Sequence, residues 1–281
     1  MAYPEDYPDN LTKAKAQGYL HKHMRVVVDG TTGLPAMTGP DVQQYLARMI
    51  TPPSTLVKNA IDAFLRGLWT DGVYQKLDAA WIMNLHTEQA SRLNIISSSY
   101  TLTDVGAAPT WATGVGGAGG FTATSAAMNT GFAVAIHGKN MGRDSAHISL
   151  RSWTSAVSAS HDVGQTSCFF NARFTGDVLI GRINASSNDS EANPDGAGFF
   201  AIERATDADF RYYRTGIALT LEAEPSIAPA SANPLWVCGM NSSSVSSRRQ
   251  SFVSVGGALG EAGQAALRTR LTTFEAAIGA S

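Results

Sequence analysis

Between residues 54 and 69, apolar and polar positions repeat with the period of an α-helix. An apolar stripe of this kind predicts an amphipathic helix that packs on another layer of the protein. The Pro52-Pro53 pair prevents an earlier start, Ser54 is placed to cap the first turn, and Asp71-Gly72 ends the helix. The stripe consists of Leu56, Val57, Ala60, Ile61, Phe64, Leu65 and Leu68, and the polar face carries Lys58, Asn59, Asp62 and Arg66.

From about Trp81 to Val255 the pattern changes to short strand-like runs separated by Gly-, Ser- and Asn-rich stretches. Many short strands with turn residues between them, and no helix-length periodic segment, predict a mainly β fold. We expect a two-sheet antiparallel jelly-roll sandwich. The candidate strands are Ser99–Thr103, Phe132–Ile136, Ala146–Trp153, Ser167–Phe174, Val178–Asn184, Gly198–Glu203, Phe210–Arg214, Pro234–Met240 and Gln250–Val255.

Two further segments flank the predicted sandwich. A final helix is predicted from Glu261 to Ile278, with Gly279 after its last turn. Residues 1–50 form a predicted N-terminal arm with one strand-like run, 24–28, and a short helical segment, 41–49. The arm has too few apolar residues to fold alone, so we expect it to mediate attachment or oligomerisation, whereas residues 51–281 form the sandwich domain.

Composition excludes several classes of protein. Hydrophobic residues make up 44% of the chain, which is typical of a globular protein, whereas charged residues make up only 16%. The net charge of −2, without a basic block, argues against a nucleic-acid partner. We expect neither a signal peptide nor membrane insertion, because no apolar run is long enough. A weakly charged surface suits packing in an assembly or contact with neutral glycans, and composition leaves both open.

Three patterns could suggest a cofactor. Residues 114–119 formally match G-x-G-x-x-G, but no helix pattern follows and the next acidic residue is Asp144, so a glycine hairpin is the better interpretation. His21 and His23 lack an identifiable third metal ligand. The segment 187–196 concentrates carboxylates and amides that could hold Ca²⁺, although a polar loop tip explains it equally well. We therefore expect no cofactor, with calcium as the one ion that the pattern allows.

Catalytic signatures are weak. There is no G-x-S-x-G elbow, and Cys168 and Cys238 lie in apolar runs typical of buried free thiols. A glycosidase needs two facing carboxylates, and the nearest candidates are the isolated Glu203, Asp207 and Asp209. The sequence therefore predicts a protein that is not an enzyme.

The order of segments over residues 54–279 resembles that of bacteriophage and prophage structural proteins with a concanavalin-like lectin/glucanase (laminin-G-type) domain, including those of gene-transfer particles. The segments are LVKNAIDAFLRGLWTDGVYQ, GRDSAHISLRSW, GFFAIERATDADFRYYRTGIAL and PLWVCGMNSSSVSSRRQSFVSV. Within them, Asp144 to His147 match polar residues before a central strand of the family, and Arg248-Arg249 match the entry to its last strand.

The resemblance implies a tail fibre or capsid spike, made in the bacterial cytoplasm and located on the virion. Its implied partners are other virion proteins, host surface polysaccharide and sister copies in a trimer or pentamer. Two alternatives stay open: a capsule depolymerase on the same fold, and a structural decoration of the virion without a ligand.

A carbohydrate site is predicted on the sandwich surface from the side chains that glycan binding requires. Amide, carboxylate and imidazole groups bond hydroxyls, and aromatic rings stack on a pyranose; such residues usually lie on loops of a rigid scaffold. The candidates are Asn140, Asp144, His147, Trp153, Asp195 and Tyr212.

Overall fold

The protein is a β-sandwich of two antiparallel sheets with flanking helices, which confirms the predicted fold class. The computed structural model describes residues 24–28, 35–123, 125–229, 232–241 and 244–280, with side chains from residue 41 onwards. His21 and His23 therefore lie outside the described residues. Within these ranges, no helix is long and apolar enough to cross a membrane.

The chain alternates between the two sheets, and helices precede and follow the sandwich strands in sequence. The helices are α1 (Val42–Leu46), α2 (Thr55–Thr70), α3 (Glu88–Ser91), α4 (Val134–His137) and α5 (Gly260–Ala277), with a 3-10 turn at Tyr74–Lys76. The strands are β1 (Met24–Val28), β2 (Pro35–Pro40), β3 (Leu77–Ile82), β4 (Thr103–Asp104), β5 (Thr110–Ala112), β6 (Gly120–Thr122), β7 (Met128–Asn129), β8 (Ala146–Ser152), β9 (Val163–Gln165), β10 (Cys168–Phe174), β11 (Val178–Ile183), β12 (Asp189–Ala192), β13 (Gly198–Arg204), β14 (Phe210–Arg214), β15 (Ile217–Glu222), β16 (Trp236–Val237) and β17 (Arg249–Gly256).

The eight-stranded sheet has the order β15-β14-β13-β8-β17-β6-β5, and β3 pairs with β17 beside β6. The seven-stranded sheet has the order β12-β11-β10-β9-β16-β7-β4, whereas β1 and β2 form a separate pair. A continuous apolar core fills the space between the two large sheets, with Trp81, Phe170 and Val253 among its buried members. A core filled by inward-facing apolar residues of both sheets is typical of a packed sandwich.

Helices α2 and α5 cover the outer face of the eight-stranded sheet. Phe64 of α2 packs against Phe252 of the sheet at 6.1 Å and against Phe274 of α5 at 5.5 Å between ring centroids. The Ser54 side chain accepts a hydrogen bond from the Val57 amide at 3.4 Å, so the predicted helix cap is confirmed. A second apolar core lies between these helices and the eight-stranded sheet. It contains no residue of the seven-stranded sheet, so within the described chain the helices do not cover that sheet's outer face.

Several predicted elements differ from the structure. The run Phe132–Ile136 is not a strand: residues 134–137 form α4, because the His137 ring accepts a hydrogen bond from the Ala133 amide at 2.9 Å and closes a helical turn. Residues 187–196 are not a loop tip, since they contain β12, an edge strand. The predicted glycine hairpin is confirmed, because β5 and β6 pair across residues 113–119.

The division of the chain at residue 50 stays a prediction. Val42, Tyr45 and Met49 are buried in the core beneath the helices, so residues 41–49 pack against the sandwich domain. Both cysteines are buried free thiols, as predicted. Burial raises the pKa of Cys168 to about 11, so this thiol stays protonated and unreactive at neutral pH.

Candidate functional site

Two of the six predicted carbohydrate-binding residues lie in the interior, so for them the prediction is corrected. The His147 ring is fully buried, with Nδ1 at 2.7 Å from the Gly257 carbonyl and Nε2 at 3.3 Å from the Ser254 hydroxyl. Tyr212 is also fully buried, and its hydroxyl donates to the carbonyls of Gly181 and Asp189. Neither side chain is accessible to a glycan.

The other four predicted residues do not meet at one place. Asn140 and Asp144 precede β8, whereas Trp153 follows its last residue, and seven residues of strand span roughly 20 Å. Asp195 lies at the Trp153 end, where the next residue, Gly196, donates to the Ser155 hydroxyl at 3.1 Å. Arg151 stacks over the Trp153 ring at 4.3 Å. The structure therefore does not assemble the predicted set into a single site.

The predicted catalytic candidates also have structural roles. Buried Glu203 accepts hydrogen bonds from the amides of Leu259 and Gly260, at 2.9 and 2.7 Å, and so satisfies the start of α5. The Asp209 carboxylate accepts from the Thr206 hydroxyl at 2.8 Å within the turn before β14. Asp207 stands in the same turn, where its carbonyl accepts from the Ser226 amide at 2.7 Å. These contacts give no facing pair of carboxylates.

A different set of residues lies on the outer face of the seven-stranded sheet, which the helices do not cover. Trp236 pairs with Asn129 of β7 on one side and with Gly164 of β9 on the other. Gly164 pairs in turn with Phe169, and Phe169 pairs with Arg182. Residues opposite one another in antiparallel strands share a face. One line therefore crosses the sheet, which we name the outer-face row: Thr103, Asn129, Trp236, Gly164, Phe169 and Arg182.

Gly164 leaves a gap in the outer-face row between two aromatic residues. Trp236 and Phe169 are separated by one strand, or about 9.6 Å at the usual strand spacing, and Gly164 between them is buried and has no side chain of its own. The position requires glycine, because its φ is +152° and an added Cβ would lie 2.4 Å from the Phe169 Cα. The gap is therefore built into the backbone.

Phe169 is only 4% exposed, and the partly exposed His161 and Arg182 side chains lie over it. The His161 ring stacks on Phe169 at 3.9 Å with an interplanar angle of 20°, and the Arg182 guanidinium lies 5.1 Å from the Phe169 ring centroid. Burial lowers the pKa of His161, and the Arg182 charge lowers it further against the opposing effect of Asp162, so the ring is neutral at pH 7. His161 Nδ1 and Arg182 Nε have no hydrogen-bond partner in the part of the chain that the structure describes.

A buried ion pair fixes the loop that carries His161. Arg248 and Asp162 are both fully buried, and their closest nitrogen and oxygen atoms are 2.6 Å apart. The Arg248 guanidinium also donates to the carbonyls of Ala156 and Arg173, at 2.6 and 2.7 Å. Loop 154–162 is thereby tied to β10 and to the segment before β17. The stacked rings of His161 and Phe169 are therefore held in fixed positions, as a preorganised binding surface requires.

Carboxylates gather at one edge of the sandwich, where β12 and β15 lie at the margins of the two sheets. Burial raises the pKa of Glu222 to about 7, helped by a hydrogen bond with Asp189 and by the charges of Asp189 and Glu191. Glu191 accepts from the Thr220 amide at 3.2 Å, which joins the two edge strands. Among the described residues, no group of His, Cys, Asp or Glu side chains is arranged to hold a metal ion.

The sequence contained part of the signal for the outer-face row. Trp236 stands in a predicted strand between Leu235 and Val237, which are both fully buried, so its alternation marks it as outward-facing. Its neighbours Gly164 and Asn129 come from strands distant in sequence, and their register follows only from the fold.

No protein-family model matches the chain, and no curated protein matches it. A mutant of Trypanosoma rangeli sialidase displaying trans-sialidase activity has a TM-score of 0.50 and 8% identity, covering 77% of this chain and 39% of that chain. Domain 4 of AbnA, a GH43 extracellular arabinanase from Geobacillus stearothermophilus, solved in complex with arabinotriose, has a TM-score of 0.48 and 12% identity, covering 68% of this chain and 98% of that domain. The binding domain of Paraclostridial Mosquitocidal Protein 1 has a TM-score of 0.45 and 10% identity, covering 69% of this chain and 52% of that one. At such identities the similarity concerns the fold alone, a mainly β architecture of the jelly-roll kind.

Proposed function

We propose that this protein binds carbohydrate through the outer-face row without cleaving it. The observation that carries the proposal is the position of Gly164 between the partly exposed Trp236 and the His161 ring, which stacks on buried Phe169. Aromatic rings provide apolar faces for the CH groups of a sugar, while Arg182, Asn129 and Thr103 supply donors and acceptors for its hydroxyls. The helices do not cover this sheet face, so its partly exposed Trp236, His161 and Arg182 side chains can contact a polysaccharide.

The proposed setting is a bacteriophage particle, on which the protein is a fibre or spike that attaches to bacterial surface polysaccharide. The segment order over residues 54–279 supports this setting by its resemblance to phage structural proteins. Antibody labelling of purified particles in the electron microscope tests it. Labelled tails or capsids are expected, and particles that never carry the protein would contradict the virion location.

Incubation with purified bacterial surface polysaccharides tests the binding function. Affinity electrophoresis measures retardation of the protein by the polysaccharide, and a reducing-sugar assay measures newly released chain ends. We expect retardation without release. Release of chain ends would favour a depolymerase, and a lack of both binding and release across a panel of polysaccharides would favour a structural decoration of the particle.

A depolymerase is the second candidate, and the carboxylates at β12 and β15 are the observation that favours it. A carboxyl group with a pKa of about 7, as at Glu222, suits a general acid. However, Glu222 and Asp189 share a hydrogen bond, which is closer than the separation of about 5 Å or more found in glycosidases. If reducing ends are released, Glu222→Gln should abolish the release while retardation in the gel persists.

A further inference from the structure

A small pocket lies between α1 and the loop after α3, on the helix-covered side of the sandwich. It is separate from the outer-face row, because it borders the core that contains no residue of the seven-stranded sheet. Polar side chains and two tyrosines form most of its wall, together with two isoleucines. The lining residues are Asp41, Gln44, Tyr45, Arg48, Tyr74, Ile95, Ile96, Ser97 and Ser98.

The Tyr45 side chain lines this pocket, and its hydroxyl has no hydrogen-bond partner among the described residues. Tyr45 is only 3% exposed, and burial raises the pKa of its hydroxyl far above its ordinary value of 10. A buried hydroxyl without a partner costs about 1–3 kcal/mol of desolvation. A ligand atom that accepts this proton would remove that cost.

Arg48 brings an uncompensated positive charge to the same pocket. Its guanidinium stacks over the Tyr45 ring at 5.2 Å and donates to the carbonyls of Asn94 and Ser97, at 2.6 and 2.8 Å. Arg48 forms no ion pair within the described chain. Desolvation lowers its pKa, and no carboxylate acts against that effect. An anion at this position would pair with a half-buried charge.

We propose that the pocket binds a carboxylate, held by the Arg48 guanidinium and the Tyr45 hydroxyl. The two groups are hydrogen-bond donors of the kind that carboxylates accept. Asp41 lines the same pocket, and its negative charge disfavours a doubly charged phosphate more than a singly charged carboxylate. The source is either a free small carboxylate or an acidic side chain of a partner protein, since both carry the same group.

Nuclear magnetic resonance titration of the full chain tests the proposal. The probes are acetate and a capped Gly-Glu-Gly peptide, with Gly-Gln-Gly as the uncharged control, and the signals are Arg48 Nε–H and the amides of residues 95–98. Saturable shifts with acetate identify a free carboxylate as sufficient. Shifts with the Glu peptide alone identify a protein side chain as the source. Shifts with neither probe, or equal shifts with the Gln peptide, overturn the proposal.

Two variants separate binding from folding. Tyr45→Phe should raise the dissociation constant about tenfold, because it removes a hydrogen bond to a charged group. The melting temperature should stay equal or rise. Asp41→Asn should tighten binding about twofold by removing a like charge. Asn caps a helix as well as Asp does, so the bond from the Gln44 amide at 3.1 Å is retained. Unchanged affinity in Tyr45→Phe, or weaker binding in Asp41→Asn, contradicts the assignment.

Discussion

At the scale of single residues, Tyr212 links the two sheets by hydrogen bonding. It belongs to β14, and its hydroxyl donates to the Gly181 carbonyl of β11 at 3.0 Å and to the Asp189 carbonyl of β12 at 2.5 Å. Tyr212→Phe should lower the free energy of unfolding by about 1–3 kcal/mol, because two buried acceptors lose their donor. Urea unfolding measures the change.

Tyr45→Phe is the matched control for this prediction. It removes an equally buried hydroxyl that has no partner, so the free energy of unfolding should not fall. An equal loss of stability in the two variants would contradict the role given to the Tyr212 hydroxyl.

The Arg248–Asp162 pair has the largest predicted effect of any single side chain. Arg248→Met leaves a fully buried carboxylate without its cation, so we expect a loss of about 3–5 kcal/mol in chemical unfolding. Arg270→Met breaks the more exposed Arg270–Asp71 pair, whose closest atoms lie 2.8 Å apart, and should cost about 1 kcal/mol or less. Similar losses in both variants would mean that burial does not determine the cost.

At the scale of elements, the spacing of apolar residues predicted the two long helices, because each of them buries only one side. The helices at 55–70 and 260–277 each bury one stripe, and both were predicted within one residue at each end. Strand β3 was missed because all six of its residues are buried, so its two faces do not differ in polarity. Strand β12 was missed because Asp189 to Ala192 form a largely exposed edge with no apolar face.

The carbohydrate site was harder to predict than the fold, because it depends on strand register. Trp236 was included in a predicted strand, but its pairing with Gly164 and Asn129 is decided by the whole sheet. Conversely, the polar identity of His147 suggested a surface position, whereas hydrogen bonds to Gly257 and Ser254 allow it to lie in the interior. Residue type alone could not distinguish these cases.

The edge strands β12 and β15 should make stability depend on pH. Folded Glu222 keeps its proton up to about pH 7, whereas the unfolded chain loses it near the ordinary value of 4.5. The folded state thus binds more protons between these values, and the free energy of unfolding falls as the pH rises. Glu222→Gln removes this titration. The melting temperature of the wild type relative to Glu222→Gln should therefore decrease from pH 5 to pH 8, and a constant difference would contradict the raised pKa.

At the scale of the whole molecule, the N-terminal segment remains the proposed means of assembly. Because residues 42, 45 and 49 are buried in the domain core, the test truncation removes residues 1–40 rather than 1–50. We expect the shortened chain to keep its thermal transition and to elute as a monomer in size-exclusion chromatography with light scattering, whereas the full chain forms a trimer or pentamer. A shortened chain with the same oligomeric mass would contradict this role.

The central claim is that the outer face of the seven-stranded sheet binds carbohydrate. Isothermal titration with the polysaccharide that retards the protein tests it most directly, by comparing the wild type with Trp236→Ala and Trp153→Ala. Trp236 lies in the outer-face row, whereas Trp153 packs against the helix-covered core. For Trp236→Ala we expect a dissociation constant at least tenfold higher, which is the usual cost of truncating a central aromatic contact. For Trp153→Ala we expect an unchanged dissociation constant. Circular dichroism should show that both variants are folded. Full affinity in Trp236→Ala together with a loss in Trp153→Ala would contradict the central claim.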